Sequence, residues 1–221
     1  YIEKGSKFNS IFMKRLFTSL KGEENVITQT EHLKNELRQF GFSGNIYVIY
    51  LSYSTQFRPL GVNKYDLRKS LNLPADRKLI MSVSSDLPRK NLAMVDKVMK
   101  SLDDGYRLVR VGSPLGNSIN FSGIDDQVLN MIYNASDVLL FPSLYEGFGL
   151  PIVESFASGL PVVTSDIPTI REVSGGAAIL ADPLDFEALR TAVRDAIDRK
   201  EELYQKGIER AKNFTFEVFK K

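Results

Sequence analysis

The chain has 221 residues, 43% hydrophobic and 25% charged, with a formal net charge of +2; this is ordinary globular composition for one or two domains and excludes a disordered or fibrous chain. Charges of both signs are interleaved, so no basic block marks a nucleic-acid partner. The absence of cysteine excludes disulfides, thiolate catalysis and cysteine zinc sites, and suits a reducing compartment.

The longest apolar runs, 46–51 and 138–141, are far too short to cross a bilayer, and no secretory signal is legible. The chain opens on Tyr1 and stops at Lys220-Lys221 inside what reads as a helix start. The expectation is a fragment of a longer protein.

In chain order, residues 1–24 are basic and amphipathic, with Phe8, Ile11, Phe12, Leu16, Phe17 and Leu20 at helical spacing, which predicts a helix. A short strand over 25–29 (NVITQ) follows. A helix then starts at Thr30, carries Leu33, Leu37 and Phe40, and ends at Gly41. Residues 46–51 (IYVIYL) read as another strand. From 52 to 63 periodicity lapses into polar, Pro- and Gly-containing sequence, the best linker candidate in the chain.

Beyond the linker, strand-like runs at 78–83, 107–111, 138–141, 162–164 and 177–180 alternate with helical patterns near 91–102, 126–134, 151–158, 168–173 and 186–199. Phe186, Leu189, Val193 and Ile197 keep helical spacing and read as core contacts. Strands apolar on both faces and separated by helices predict a doubly wound, Rossmann-like α/β domain with a parallel sheet.

In such sheets ligands bind where the carboxyl ends of the strands lead into helix N-termini. Two of these loops are chemically unusual. Glu146-Gly147-Phe148-Gly149-Leu150-Pro151 follows the 138–141 strand. Its glycines let backbone approach a ligand, its amides and helix dipole favour an anion, and Pro151 suits a first helical turn. Glu154, in or near that turn, reads either as a surface acid complementing the dipole or as a ligand contact. Glu146 reads either as a solvated loop acid or as part of a site.

The second loop, Ser84-Ser85-Asp86-Leu87-Pro88-Arg89-Lys90-Asn91, follows the 78–83 strand, with Asn91 a candidate N-cap. Cations are the wrong sign for a helix N-terminus; a bound phosphate would reverse that, each charge-assisted hydrogen bond contributing roughly 1.5–3 kcal/mol. Cations and free amides at one end and carboxylates at the other suit a diphosphate flanked by hydroxyl-rich groups, because carboxylates accept paired hydrogen bonds from vicinal hydroxyls. Asp103-Asp104 and Asp125-Asp126 read as turn and cap acids.

The stretches EGFGLPIVE (146–154), PRKN (88–91), ASDVLLFPS (135–143) and GLPVVTSDIPTIREV (159–173) resemble the group-1 family of retaining, GT-B-fold nucleotide-sugar glycosyltransferases. The resemblance covers about residues 65–215 as the C-terminal half of a GT-B fold. It implies a remnant of the N-terminal, acceptor-side domain at 1–51, a linker at 52–63, a donor-binding domain at 64–215 and the start of a crossover helix at 216–221. Most of the acceptor-side domain is expected to be missing.

The resemblance further implies transfer of a mannosyl- or glucosyl-type sugar, with retention, from a nucleoside-diphosphate sugar to a saccharide or lipid-linked acceptor. The nucleotide sugar is a substrate; no cofactor is implied, and with no Asp-any-Asp clamp the transfer is expected to need no metal. Glu146 would face the transferred sugar, and Arg89 and Lys90 would neutralise the departing diphosphate. Glu154 would hold the ribose hydroxyls, the amides of Gly147, Phe148, Gly149 and Leu150 would touch sugar and phosphate, and Ser84 and Ser85 would lie against the donor. Phe121-Ser122-Gly123-Ile124 matches the segment lining the base, which brings in Gly123 and Ile124.

Many relatives carry an arginine at the position of Ser85, so which cation does which job stays open. His32 is expected to be structural. The location implied is cytoplasmic, with the basic 1–24 segment a candidate for peripheral contact at the cytoplasmic membrane face. Two other readings remain: a non-catalytic Rossmann-like nucleotide-binding module, and a nucleotide-sugar isomerase or hydrolase with acid-base residues in the missing half. A receiver-type phosphoacceptor fits poorly, since Ser-Ser-Asp lacks the acid cluster for Mg²⁺.

Overall fold

The computed structural model describes residues 22–219. The helix expected over 1–24 therefore lies almost wholly outside the described residues, as do the last two residues of the 216–221 segment. A small unit comes first. β1 (Asn25–Thr28) and β2 (Asn45–Val48) pair in parallel, joined by α1 (Glu31–Gln39), whose N-cap Thr30 accepts the Leu33 amide at 3.2 Å. β2 stops short of the expected 46–51 run. The chain leaves the ladder there, and Tyr50 donates to Glu172 at 2.8 Å and packs against the rings of Phe148 and Phe214.

Residues 49–63 form neither helix nor strand. They are nonetheless fastened down: Phe57 is buried, and the Arg58 and Leu60 amides donate to Asn130 and Asn134 side chains at 3.2 and 2.9 Å.

The remaining helices, in chain order, are α2 (Lys64–Ser70), α3 (Leu92–Ser101), α4 (Asp126–Ala135), α5 (Leu150–Ala157), α6 (Pro168–Ser174), α7 (Phe186–Asp198), α8 (Lys200–Ala211) and α9 (Phe216–Phe219). Between them β3 (Lys78–Val83), β4 (Tyr106–Val111), β5 (Ile119–Phe121), β6 (Val138–Phe141), β7 (Val162–Ser165) and β8 (Ile179–Ala181) build one parallel sheet in the order β5-β4-β3-β6-β7-β8. This is the doubly wound architecture expected.

Successive strand residues point to opposite faces, and each face has its own core. Leu79, Met81, Leu139 and Phe141 join one with Ile132, Ile152 and Phe156 of α4 and α5. Ile80, Val138, Leu140 and Val163 join the other with Val95, Val98, Leu189 and Val193 of α3 and α7. Each such side chain contributes about 1.5–3 kcal/mol by leaving water, which is why β6 is apolar without alternation.

Three elements were not anticipated. α2 is short and buries Leu67 and Arg68; β5 has three residues; α8 is half charged and buries Leu203, Gly207 and Ala211. Among the described residues no helix is long and apolar enough to cross a membrane.

The topology fixes where a site can form. From β3 the chain winds outward through β4 to β5, then returns to lay β6 on the other side of β3. The loops after β3 and β6 therefore leave the sheet side by side and diverge, opening a crevice at the switch point.

Candidate active site

The loop after β3 tightens into a single 3-10 turn, Pro88–Lys90, ending at Asn91 with φ 55°. Asn91 makes no capping bond; it donates instead to the carbonyls of Pro142 and Pro183 at 3.1 and 2.8 Å. It thereby ties this loop to the one after β6, a bridge that the capping expectation missed. The Leu144 amide donates back to the Arg89 carbonyl at 2.7 Å.

The two loops meet through charge. Lys90 Nζ lies 2.5 Å from Glu146 Oε1, and Arg89 Nη1 lies 3.2 Å from Oε2. Arg89 also reaches the Tyr145 carbonyl at 3.2 Å, and Lys90 sits 5.0 Å over the Phe141 ring. The Glu146 and Lys90 side chains are 7% and 10% exposed, whereas Arg89 is 41% exposed. Glu146 is therefore not a solvated loop acid. One carboxylate between two cations leaves one positive charge in excess, on the cation that faces solvent.

After Glu146 the chain turns through Gly147 and Phe148 to Gly149, whose φ of 98° is open to glycine and strained for other residues. α5 begins at Leu150, one residue before Pro151; Pro151 carries no amide and Ile152 donates to the Gly149 carbonyl at 2.9 Å, so the amides that can face a ligand are those leading into the helix. The Phe148 side chain is buried, with ring centroids 6.2 Å from Tyr50 and 5.5 Å from Phe214, so only its backbone can face a ligand.

Glu154 lies within α5, past its first turn. It is not a dipole-complementing surface acid: its carboxylate accepts the hydroxyl of buried Tyr133 at 2.9 Å. Burial is the main influence on it, with Asp126 reinforcing and the Tyr133 hydroxyl opposing, and raises its pKa to about 7. Near neutral pH the group is poised between its two forms, and donors from a ligand would select the carboxylate.

On the other side of β3, an open concavity of about 580 Å³ is framed by Ser84, Ser85, Asp86, Gly112, Asn120 and Ser122. Gly123 follows at φ 63°, and Ile124 packs partly into the core. The structure thus brings Arg89, Lys90 and Glu146 into direct contact and sets Ser84, Ser85 and Ser122 around one hollow. Glu154 makes its contact separately, at Tyr133. The small N-terminal unit reaches the same loops: Tyr145 donates to Glu36 at 3.4 Å, and a Cβ on Gly147 would lie 3.2 Å from Gln29 Oε1. His32 lies 3.5 Å from Glu36.

Sequence reasoning missed Tyr133 and Arg110. Tyr133 lies on an apolar helix face and reads as core. Arg110 left a signal: a charge inside a strand whose neighbours are apolar on both faces.

The family described as "Glycosyl transferases group 1" matches residues 63–214. Among curated proteins, the chain is 34% identical over 115 residues to O-antigen chain mannosyltransferase B of Escherichia coli, covering 51% of this chain and 30% of that one. It is 26% identical over 189 residues to the putative teichuronic acid biosynthesis glycosyltransferase TuaC of Bacillus subtilis, covering 81% and 48%. Sucrose-phosphate synthase from Thermosynechococcus elongatus superposes with TM-score 0.82 at 25% identity, over 92% of this chain and 57% of that one. HepE of Anabaena, solved with UDP and glucose, also gives 0.82, at 17% identity over 99% and 66%. These structural neighbours have the GT-B fold, and the chain spans less than half the length of the two curated relatives. With two thirds of its residues matched by one family, this chain belongs to the group 1 glycosyltransferases.

Proposed function

We propose that this chain is the donor-binding part of a hexosyltransferase, mannosyl- or glucosyl-type, that moves a sugar from a nucleoside diphosphate to a saccharide or lipid-linked acceptor. One observation carries the reading: Arg89 and Lys90 after β3 meet Glu146 after β6, at the switch point of the sheet, with a net positive charge. A diphosphate drawn there would gain charge-assisted hydrogen bonds from Arg89 and from the amides of Gly147 to Leu150 leading into α5. The same contacts would stabilise the leaving group as the glycosidic bond breaks.

Glu146 uses two of its roughly four lone-pair positions on the cations, which leaves acceptor capacity for sugar hydroxyls. Glu154 would take the ribose diol as a carboxylate. Ser84, Ser85, Gly123 and Ile124 would border the base and ribose. Retention of configuration and independence from metal belong to the reading by family resemblance, as does division into an acceptor-side remnant up to 51, a linker and a donor domain from 64 to 215. A cytoplasmic site of action, with peripheral contact at a membrane bearing the acceptor, completes it. The mannosyltransferase name of one relative and the UDP and glucose in a structural neighbour support the substrate class.

Thermal melting with UDP, GDP and ADP and their sugars tests the reading. A ligand at about 100 times its Kd adds about 2.7 kcal/mol, which is a rise of roughly 5–10 °C at this size. At least one nucleotide should give it. No shift with any of them at millimolar concentration would defeat the proposal.

A further inference from the structure

Arg110, near the end of β4, is completely buried. Its guanidinium spans the carboxyl ends of two neighbouring strands: Nη1 donates to the carbonyls of Val111 and Ser82 at 2.6 and 3.2 Å, and Nη2 to the carbonyl and hydroxyl of Ser84 at 2.6 and 3.2 Å. Four of its five N–H groups are thus placed, all on neutral oxygens, and Nε has no partner. The nearest acid, Asp86, is 3.9 Å away and 57% exposed. A buried cation normally has a close anionic partner, since desolvation is otherwise expensive. Burial lowers its pKa and Asp86 offsets only part of that.

The fork lies directly under the hollow between the β3, β4 and β5 ends, because Ser84, Asp86 and Gly112 are shared by both. Gly112 has φ 130°, and a Cβ there would come within 2.4 Å of the Ser84 carbonyl and 2.9 Å of Arg110 Nη2. The strand ends therefore close tightly over the guanidinium. Ser84 also begins the loop that ends in Arg89 and Lys90, so the clamp sets the takeoff of that loop.

We infer that Arg110 is a positioning residue of the donor site: it fixes the β3 and β4 strand ends, and its charge, only partly compensated by Asp86, gives the hollow a positive floor that favours a phosphate-bearing ligand. This rests on the donor-binding reading above. Charge and shape separate when a nucleoside diphosphate is compared with its own nucleoside, since both need the hollow and only one responds to the floor.

Isothermal titration of UDP against uridine, GDP against guanosine and ADP against adenosine supplies the comparison. Arg110→Met should weaken the diphosphate about tenfold more than the nucleoside, and Arg110→Lys should recover part of that preference. Should Arg110→Met fail to fold, Asp86→Asn decides: removing the exposed partial neutraliser leaves the clamp intact and should tighten diphosphate binding about threefold, with nucleoside binding unchanged. Equal effects on both ligands in the variants that fold would overturn the inference while the wild type still binds. A wild type that binds none of the three diphosphates removes the donor reading, and this inference with it.

Discussion

Glu146, just before α5, is held by Lys90 at 2.5 Å and Arg89 at 3.2 Å. Glu154, eight positions on and inside the same helix, meets a buried phenol at 2.9 Å and has its pKa raised to about 7. The residue type is the same and both positions are poorly hydrated, so the difference comes from what each strand or helix brings alongside. β3 delivers cations to Glu146; α4 delivers a neutral donor to Glu154. Under the proposed function, two acids with environments this far apart would divide the work, one beside the diphosphate and one taking up hydroxyls.

The largest break in that comparison is Lys90→Ala. It leaves Glu146 buried with only the half-exposed Arg89, and should cost about 3 kcal/mol, the low end for unpairing a buried ion pair. Urea unfolding reads it directly. A loss under about 0.5 kcal/mol, within the range of surface pairs, would mean that Glu146 is hydrated.

An effect confined to the upper pH range sharpens the other half. Unfolded, the Glu154 carboxyl has its ordinary value of 4.5, and folded it is raised to about 7. Between these the folded protein keeps a proton that the unfolded chain has released. Glu154 therefore contributes stability that is fully present below 4.5 and is lost as pH rises through about 7. Glu154→Gln carries no titration and still accepts the Tyr133 hydroxyl, so it should match the wild type near pH 4.5 and exceed it by roughly 3 kcal/mol at pH 8. Parallel stability curves for the two proteins across that window would contradict the buried environment described here.

Much of this was legible in the sequence, for identifiable reasons. β3 and β6 lie where their apolar runs placed them, because strands covered on both faces need continuous hydrophobicity. α8 was invisible because its buried face is Leu203, Gly207 and Ala211, and small residues that let a helix approach Phe156 closely leave no hydrophobic period. The three-residue β5 is too short to show one. At the site, Arg89, Lys90 and Glu146 announced themselves by charge in glycine- and proline-bearing loops. Their mutual contact depends on strand order, which no local pattern encodes. Asn91 read as a cap and proved to be a bridge between loops, because its role depends on a carbonyl 51 positions away.

Two cations meet one carboxylate where the strand-end loops touch, and Arg89→Ala tests most directly whether that local excess serves one diphosphate. Its partly exposed pair should cost less than about 1 kcal/mol of stability, so binding can be read on an intact fold. By isothermal titration, the affinity for the nucleoside diphosphate that stabilises the wild type should fall about tenfold or more. An affinity equal to that of the wild type would contradict the account.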